Sequence, residues 1–200
     1  MSKGRLEAFS DGVLAILITI MVLELRPPEG ATLEALVPLW PKLLAYVLSF
    51  VYLGIYWNNH HHLLHAVRTI SGGVLWANLH LLFWLSLVPV GTAWMGQTGF
   101  APIPVAIYGF VVLMPAVAFT LLVYTLVRVP DQRSGLIEVI GRDAKGKISL
   151  ALYALSIPVA LVAPYVSVGI FVFVAALWFV PDRRFEAVAD VPRVEPPREH

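Results

Sequence analysis

An acidic residue, Asp11, stands inside the first long apolar segment of the chain, in the sequence Phe9-Ser10-Asp11-Gly12. A carboxylate within an apolar membrane segment is costly, and such residues often belong to ion pathways, proton relays or polar contacts between helices. Asp11 is therefore a candidate functional residue. The alternative is that it lies near the inner membrane interface, where it caps or pairs for structural reasons alone.

A second polar cluster begins at His60 and contains four of the six histidines within six consecutive residues. His61 and His65 are one helical turn apart, a spacing that can direct two imidazoles at one metal ion. Since no acid or cysteine lies beside them, Asp11 would have to complete such a site from another helix. The interpretation that we favour is hydrogen bonding of some histidines to the first segment near the inner face, with the others in contact with water.

An apolar stripe follows Asp11 along the same segment. Ile16, Thr19, Ile20 and Leu23 are spaced by three and four residues, so that a helix places them on one face. At about 100° per residue, Asp11 points about 140° away from Ile16 around the helix axis. The acid and the stripe therefore have different neighbours, and the spacing alone favours packing or lipid contact for the stripe.

The composition indicates what kind of protein positions these residues. Hydrophobic residues make up 58% of the 200-residue chain, charged residues 14%, and the mean hydropathy is +0.78. A soluble globule of this size needs a polar shell that this composition does not supply. We therefore predict an all-α integral membrane protein. The absence of cysteine excludes disulfides and thiolate metal sites. No phosphate-binding loop, nucleophile elbow or acid–base pair is present, so we expect no enzymatic activity, cofactor or nucleic-acid partner.

The sequence contains six apolar segments that we predict to cross the bilayer, whose hydrocarbon core is about 30 Å thick. They comprise residues 9–25, 38–64, 74–95, 105–127, 148–163 and 165–180, the last two forming a tight hairpin. Residues 1–182 thus form one six-span domain. Residues 183–200 are rich in charge and proline, and we predict a disordered cytoplasmic tail.

The loop charges predict the orientation of these spans. With the N-terminus inside, 12 of the 14 lysine and arginine residues fall on the inner side, and only Arg26 and Lys42 fall outside. This distribution follows the positive-inside rule. We therefore expect a multi-pass protein of the plasma membrane with both termini in the cytoplasm.

The first span resembles the signature of prokaryotic members of the transmembrane protein 175 family, the lysosomal potassium channels. The matching residues are Arg5-x-x-x-Phe9-Ser10-Asp11-Gly12-Val13-x-Ala15-Ile16-x-x-Thr19-x-x-x-Leu23-Glu24, Trp57-x-Asn59-His60-His61, Asn78 and Pro89-x-x-Thr92. One departure is Val90, which stands where an aromatic residue is common in the family. The motifs cover roughly residues 5–95, and the rest of the chain agrees in its six-span layout.

The resemblance implies a single-repeat subunit that assembles as a homotetramer in the lipid bilayer, with helix one lining a central pore. It also implies that K⁺ and other monovalent cations pass through rings of apolar side chains rather than a carbonyl filter. Ile16 would form the narrowest ring, continued outward by Thr19, Ile20 and Leu23. A polar network around helix one is also implied, in which Arg5, Ser10 and Asp11 hold its inner end against spans two and three. Its members are Arg5, Phe9, Ser10, Asp11, Asn59, His60, His61 and Asn78.

Two functions are consistent with these features. The leading one is a potassium-selective or weakly selective cation channel with a hydrophobic constriction formed by helix one. The alternative is a metal-ion or proton transporter in which Asp11 and the histidines at positions 60, 61, 62 and 65 carry the ion.

Overall fold

The structure is a computed structural model that describes residues 2–65, 67, 69–129 and 144–179. Within these residues the chain is helical and contains no strand, which confirms the all-α class. The predicted cytoplasmic tail, residues 183–200, lies outside the described residues, as does most of the polar stretch between spans four and five.

The helices account for all six apolar segments. They are α1 (Lys3–Leu23), a 3₁₀ helix (Leu33–Leu39), α2 (Trp40–His65), α3 (Gly72–Ser86), α4 (Val88–Gln97), α5 (Pro102–Val127), α6 (Ala144–Val162) and α7 (Pro164–Phe179). Five of the described segments are long and apolar enough to cross a membrane, with α3 and α4 counted as one. The sixth, α7, is apolar but has only 16 residues.

Helix α1 is continuous because no proline interrupts it. It begins at Lys3, after the extended residue Ser2, and ends at Leu23, before the pair Pro27-Pro28. The helix therefore starts six residues earlier than the predicted span, so Arg5 belongs to its first turns. Its other end agrees with the rule that helices seldom continue toward a proline.

The third span is broken, although the sequence predicted one uninterrupted segment. Helix α3 ends at Ser86, and α4 begins at Val88 with Pro89 in its first turn. Proline has no amide hydrogen, and its ring clashes with the carbonyl four residues earlier, so it ends one helix and is tolerated in the first turn of the next. As a result the two halves pack differently: α3 contacts mainly α5 and α1, whereas α4 contacts α2, α5 and α1.

Helices α5, α6 and α7 pack closely against one another on the other side of the bundle. Gly109 on α5 permits this approach, because a Cβ atom there would lie 3.0 Å from Ser156 Oγ on α6. Helices α6 and α7 form the hairpin, separated by the single residue Ala163. The Ser167 hydroxyl donates to the Ser156 carbonyl across 2.8 Å and ties the two helices together.

Candidate functional site

Helix α1 has one packed face and one uncovered face. The packed face comprises Leu6, Ser10, Leu14, Leu17 and Met21, which contact α2, α3 and α4. The opposite face is exposed along the whole helix. It comprises Arg5, Ala8, Phe9, Gly12, Ala15, Ile16, Thr19, Ile20 and Leu23. A continuous exposed face on a helix that is otherwise built into a bundle indicates a surface that a single subunit leaves uncovered.

The outer half of the uncovered face is apolar apart from one hydroxyl. Ile16 is 57% exposed and Leu23 is 77% exposed. Between them, the Thr19 hydroxyl donates to the Ile16 carbonyl over 2.9 Å. Because its only hydrogen is used within the helix, the Thr19 oxygen retains lone pairs that can accept from water or contact a cation.

A buried polar chain joins α1 to α2 and α3 near the N-terminal end of α1, which the sequence predicts to be the inner end. The Asn78 amide donates to Ser10 Oγ over 2.9 Å. The carbonyl oxygen of the same side chain accepts from His60 Nε2 over 2.7 Å. All three side chains are buried. We call Ser10, Asn78 and His60 the inner polar chain.

Asp11 is bound by α2 through Trp57, which belongs to the motif Trp57-x-Asn59-His60-His61 but was not predicted as a partner of Asp11. Trp57 Nε1 donates to Asp11 Oδ1 over 3.0 Å. The Trp57 ring also stacks on His61, with ring centroids 5.9 Å apart. Asp11 therefore contacts a neutral donor on α2, and the ring of that donor links Asp11 to His61.

Four of the predicted network residues do not take part in the polar contacts that join α1 to α2 and α3 in the structure. Arg5 precedes Ile16 by 11 residues, about three helical turns, so it lies on the uncovered face rather than against α2 and α3. Phe9 lies on the same face. The Asn59 amide donates to the Ile55 carbonyl of its own helix, and His61 is exposed.

The histidine cluster does not form a three-ligand metal site in the described part of the chain. The His61 and His65 rings are close, with centroids 4.4 Å apart. Among the residues described, however, no group of three or more histidine, cysteine, aspartate or glutamate side chains is positioned to hold a metal ion. His60, whose Nε2 is bound to Asn78, belongs to the inner polar chain.

Near the outer end, a second set of buried hydroxyls links the helices. Thr92 Oγ1 lies 2.6 Å from Ser49 Oγ, which lies 2.9 Å from Tyr108 Oη. We call Thr92, Ser49 and Tyr108 the outer hydroxyl chain. Of these three residues, only Thr92 belongs to a motif identified in the sequence, Pro89-x-x-Thr92; Ser49 and Tyr108 were not predicted. The available signal was that Ser49 is an isolated polar residue within an apolar span.

Known proteins that are similar to this chain are described as potassium channels. A family model described as the endosomal/lysosomal potassium channel TMEM175 matches residues 5–89. A protein of Chryseobacterium sp. (strain P1-3), named as a potassium channel, is 52% identical over 93% of this chain and 97% of its own length. The chain belongs to the TMEM175 family.

Two further relatives agree with this TMEM175 assignment. A protein of Streptomyces collinus, also named as a potassium channel, is 36% identical over 63% of this chain and 65% of its own length. The crystal structure of a Chamaesiphon minutus homologue of the lysosomal potassium-selective channel TMEM175 superposes with a TM-score of 0.76. The two chains are 26% identical, and the match covers 94% of this chain and 98% of the other. The resemblance based on the first-span motif is thereby confirmed.

Proposed function

We propose that this chain forms a homotetrameric, potassium-permeable channel whose central pore is lined by the uncovered face of α1. The observation that carries the proposal is that face: it runs the length of a membrane-spanning helix whose other side is packed against α2, α3 and α4. One copy of a helix cannot enclose a pathway, whereas a closed cyclic assembly can. The relatives named as potassium channels support the same conclusion.

The constriction of this pore is a ring of Ile16 side chains. Four isoleucines facing one axis leave a narrow apolar passage, which blocks ions by excluding water. A small rotation or outward shift of α1 admits water together with a partly hydrated cation. The Thr19 oxygen, one turn further out, then replaces part of the ion's water shell. Permeation is potassium-selective or weakly selective and proceeds without a carbonyl filter, as the family resemblance implies.

The polar contacts of α1 set its tilt. Ser10 is held by Asn78 and Asp11 by Trp57, both near the inner end of the helix. These contacts lie on the far side of α1 from Ile16. Their role is therefore assembly and gating rather than contact with the permeating ion.

The subunit crosses the plasma membrane with both termini in the cytoplasm. Lys3 and Arg5 at the start of α1, and Arg128 after α5, then lie on the inner side, as the positive-inside rule requires. The alternative of a metal-ion or proton transporter is not favoured, because Asp11 and His60 are engaged by Trp57 and Asn78 instead of facing each other across a carrier site.

Single-channel recording tests the function directly. We would reconstitute the purified protein in liposomes with K⁺ on one side and Na⁺ on the other, with protein-free liposomes as the control. We expect discrete, passive currents carried preferentially by K⁺. The double variant with His61→Ala and His65→Ala should conduct like the wild type. Saturable transport that fails in this double variant would favour the transporter instead.

Native mass spectrometry in mild detergent tests the assembly. We expect the tetramer to be the dominant species. A spectrum that contains only monomers and dimers would contradict a closed fourfold pore.

A further inference from the structure

The outer hydroxyl chain connects three helices through buried side chains. Thr92 on α4, Ser49 on α2 and Tyr108 on α5 are all almost completely buried. Thr92 Oγ1 also lies 2.7 Å from the Val88 carbonyl of its own helix. Each hydroxyl carries one hydrogen. The Thr92 hydroxyl donates to Ser49 Oγ, and Ser49 can in turn donate to Tyr108 Oη, so the three buried side chains are hydrogen-bonded as a set.

This chain touches α1 at one side chain. Thr92 Oγ1 lies 3.9 Å from Met21 Sδ, and Met21 is buried on the packed face of α1. Its neighbours Ile20 and Leu23 lie on the uncovered face. A shift of Thr92 is therefore transmitted through Met21 to the side chains that line the outer half of the proposed pore.

A small recess lies beside this contact. It opens between α1, α2 and α4 and is lined by Met21 of α1, by Glu24 and Leu25 just after the end of α1, and by Pro89, Ala93 and Gly96 of α4. The outer end of α1 is thus not packed continuously against the helices behind it. The contact between Thr92 and Met21 is adjacent to the gap, where it can limit how far α1 leans back.

We propose that Thr92 is a positioning residue for ion permeation, which holds the outer half of α1 through Met21 and so sets the pore width at Ile20 and Leu23. This inference rests on the proposed channel function. Without the Thr92 hydroxyl, α4 loses its polar connection to α2, and the Met21 side chain can shift toward the recess. The outer rings then widen. The loss of one such hydrogen bond shifts the ratio of open to closed channels about fivefold toward the open state.

Three variants test the proposal in single-channel recordings from liposomes with K⁺ on both sides. Thr92→Val removes the hydroxyl while preserving the shape, and it should raise the ratio of open to closed channels about fivefold. Thr92→Ser restores the hydroxyl and should remain within about twofold of the wild type. Thr120→Val is the matched control, because the exposed Thr120 hydroxyl bonds only to the Ala116 carbonyl of α5, and it should behave like the wild type.

Several results would overturn the inference. One is an assembled Thr92→Val channel with wild-type open probability, even if its thermal stability is reduced, since that pattern identifies a purely structural role. Another is equal behaviour of Thr92→Ser and Thr92→Val. If Thr92→Val does not assemble, Ser49→Ala breaks the same connection and should raise the open probability, and an unchanged value would contradict the proposal. A wild type without K⁺ current would overturn the channel function itself, and this inference with it.

Discussion

The Trp57 indole nitrogen donates a hydrogen bond to the Asp11 carboxylate over 3.0 Å, so the acid of α1 is held by a neutral group on α2. Among the described residues, the ion pair that the structure shows is between Lys3 and Glu7, not at Asp11. Asp11 is partly exposed, and among the described residues Trp57 is the donor that contacts its carboxylate. Removing either partner should disturb the same contact between α1 and α2.

Asp11→Ala and Trp57→Phe should therefore destabilise the oligomer by similar amounts. A hydrogen bond to a charged group contributes roughly 1.5–3 kcal/mol, and exposure of this pair to water favours the lower end. Thermal unfolding of the purified oligomer measures the loss, and the double variant should cost less than the sum of the two single variants. Ion selectivity should be unchanged. A stable, assembled Asp11→Ala oligomer that has lost all ion flux would place Asp11 in the ion pathway.

Asn78→Ala should be the most damaging of the substitutions in the inner polar chain. Asn78 bonds to both Ser10 and His60, so its removal leaves two buried polar groups without partners. Each unsatisfied group costs about 1–3 kcal/mol. Ser10→Ala breaks only one of these bonds and is the matched control. Equal thermal unfolding temperatures of the two variants would show that the His60 contact contributes little.

The sequence predicted the two faces of α1 better than the partners of its polar residues. The spacing of Ile16, Thr19, Ile20 and Leu23 was enough to place them on one face, because helical periodicity depends only on the chain itself. Trp57 was missed as the partner of Asp11, because that contact depends on how α2 is rotated against α1. Arg5 was assigned to the polar network by resemblance alone, although its own spacing from Ile16 places it on the uncovered face.

The break in the third span was readable from the sequence, unlike the outer hydroxyl chain. Pro89 lies within the predicted span 74–95, and a proline within a helical pattern ends or kinks the helix just before it. Mean hydropathy over the span masks this signal. The meeting of Ser49 with Tyr108 and Thr92 depends on three helices that are distant in sequence, and no local pattern specifies such a contact.

Alanine substitutions at three glycines should differ in a predictable order. A Cβ atom at Gly96 would lie 3.0 Å from the Lys42 backbone Cα, which cannot move without shifting α2. At Gly109 the contact at 3.0 Å is the Ser156 hydroxyl, a side-chain atom that can move aside. Overpacking of a tight core commonly costs about 1–3 kcal/mol. Gly96→Ala should lie at the upper end of that range and Gly109→Ala at the lower end.

Gly169→Ala provides the control for this series, because a Cβ atom there would meet nothing within 4 Å. Alanine is also the better helix former, by roughly 1 kcal/mol in an exposed helix interior. The thermal unfolding temperature should therefore be unchanged or higher. Equal losses at Gly96 and Gly169 would show that close packing of α4 against α2 does not determine stability.

The proposed constriction makes the sharpest prediction. Ile16→Asn would place four amides where four apolar side chains exclude water, so the pore should become hydrated at rest. Resting K⁺ conductance should rise, and discrimination between K⁺ and Na⁺ should fall.

Thr19→Val removes only hydroxyls and should reduce current or selectivity without a comparable leak. Leu17, next to Ile16 in sequence, is buried on the packed face. Leu17→Asn should therefore impair folding rather than open a pore. Unchanged current and selectivity in an assembled Ile16→Asn channel would mean that α1 does not form the gate.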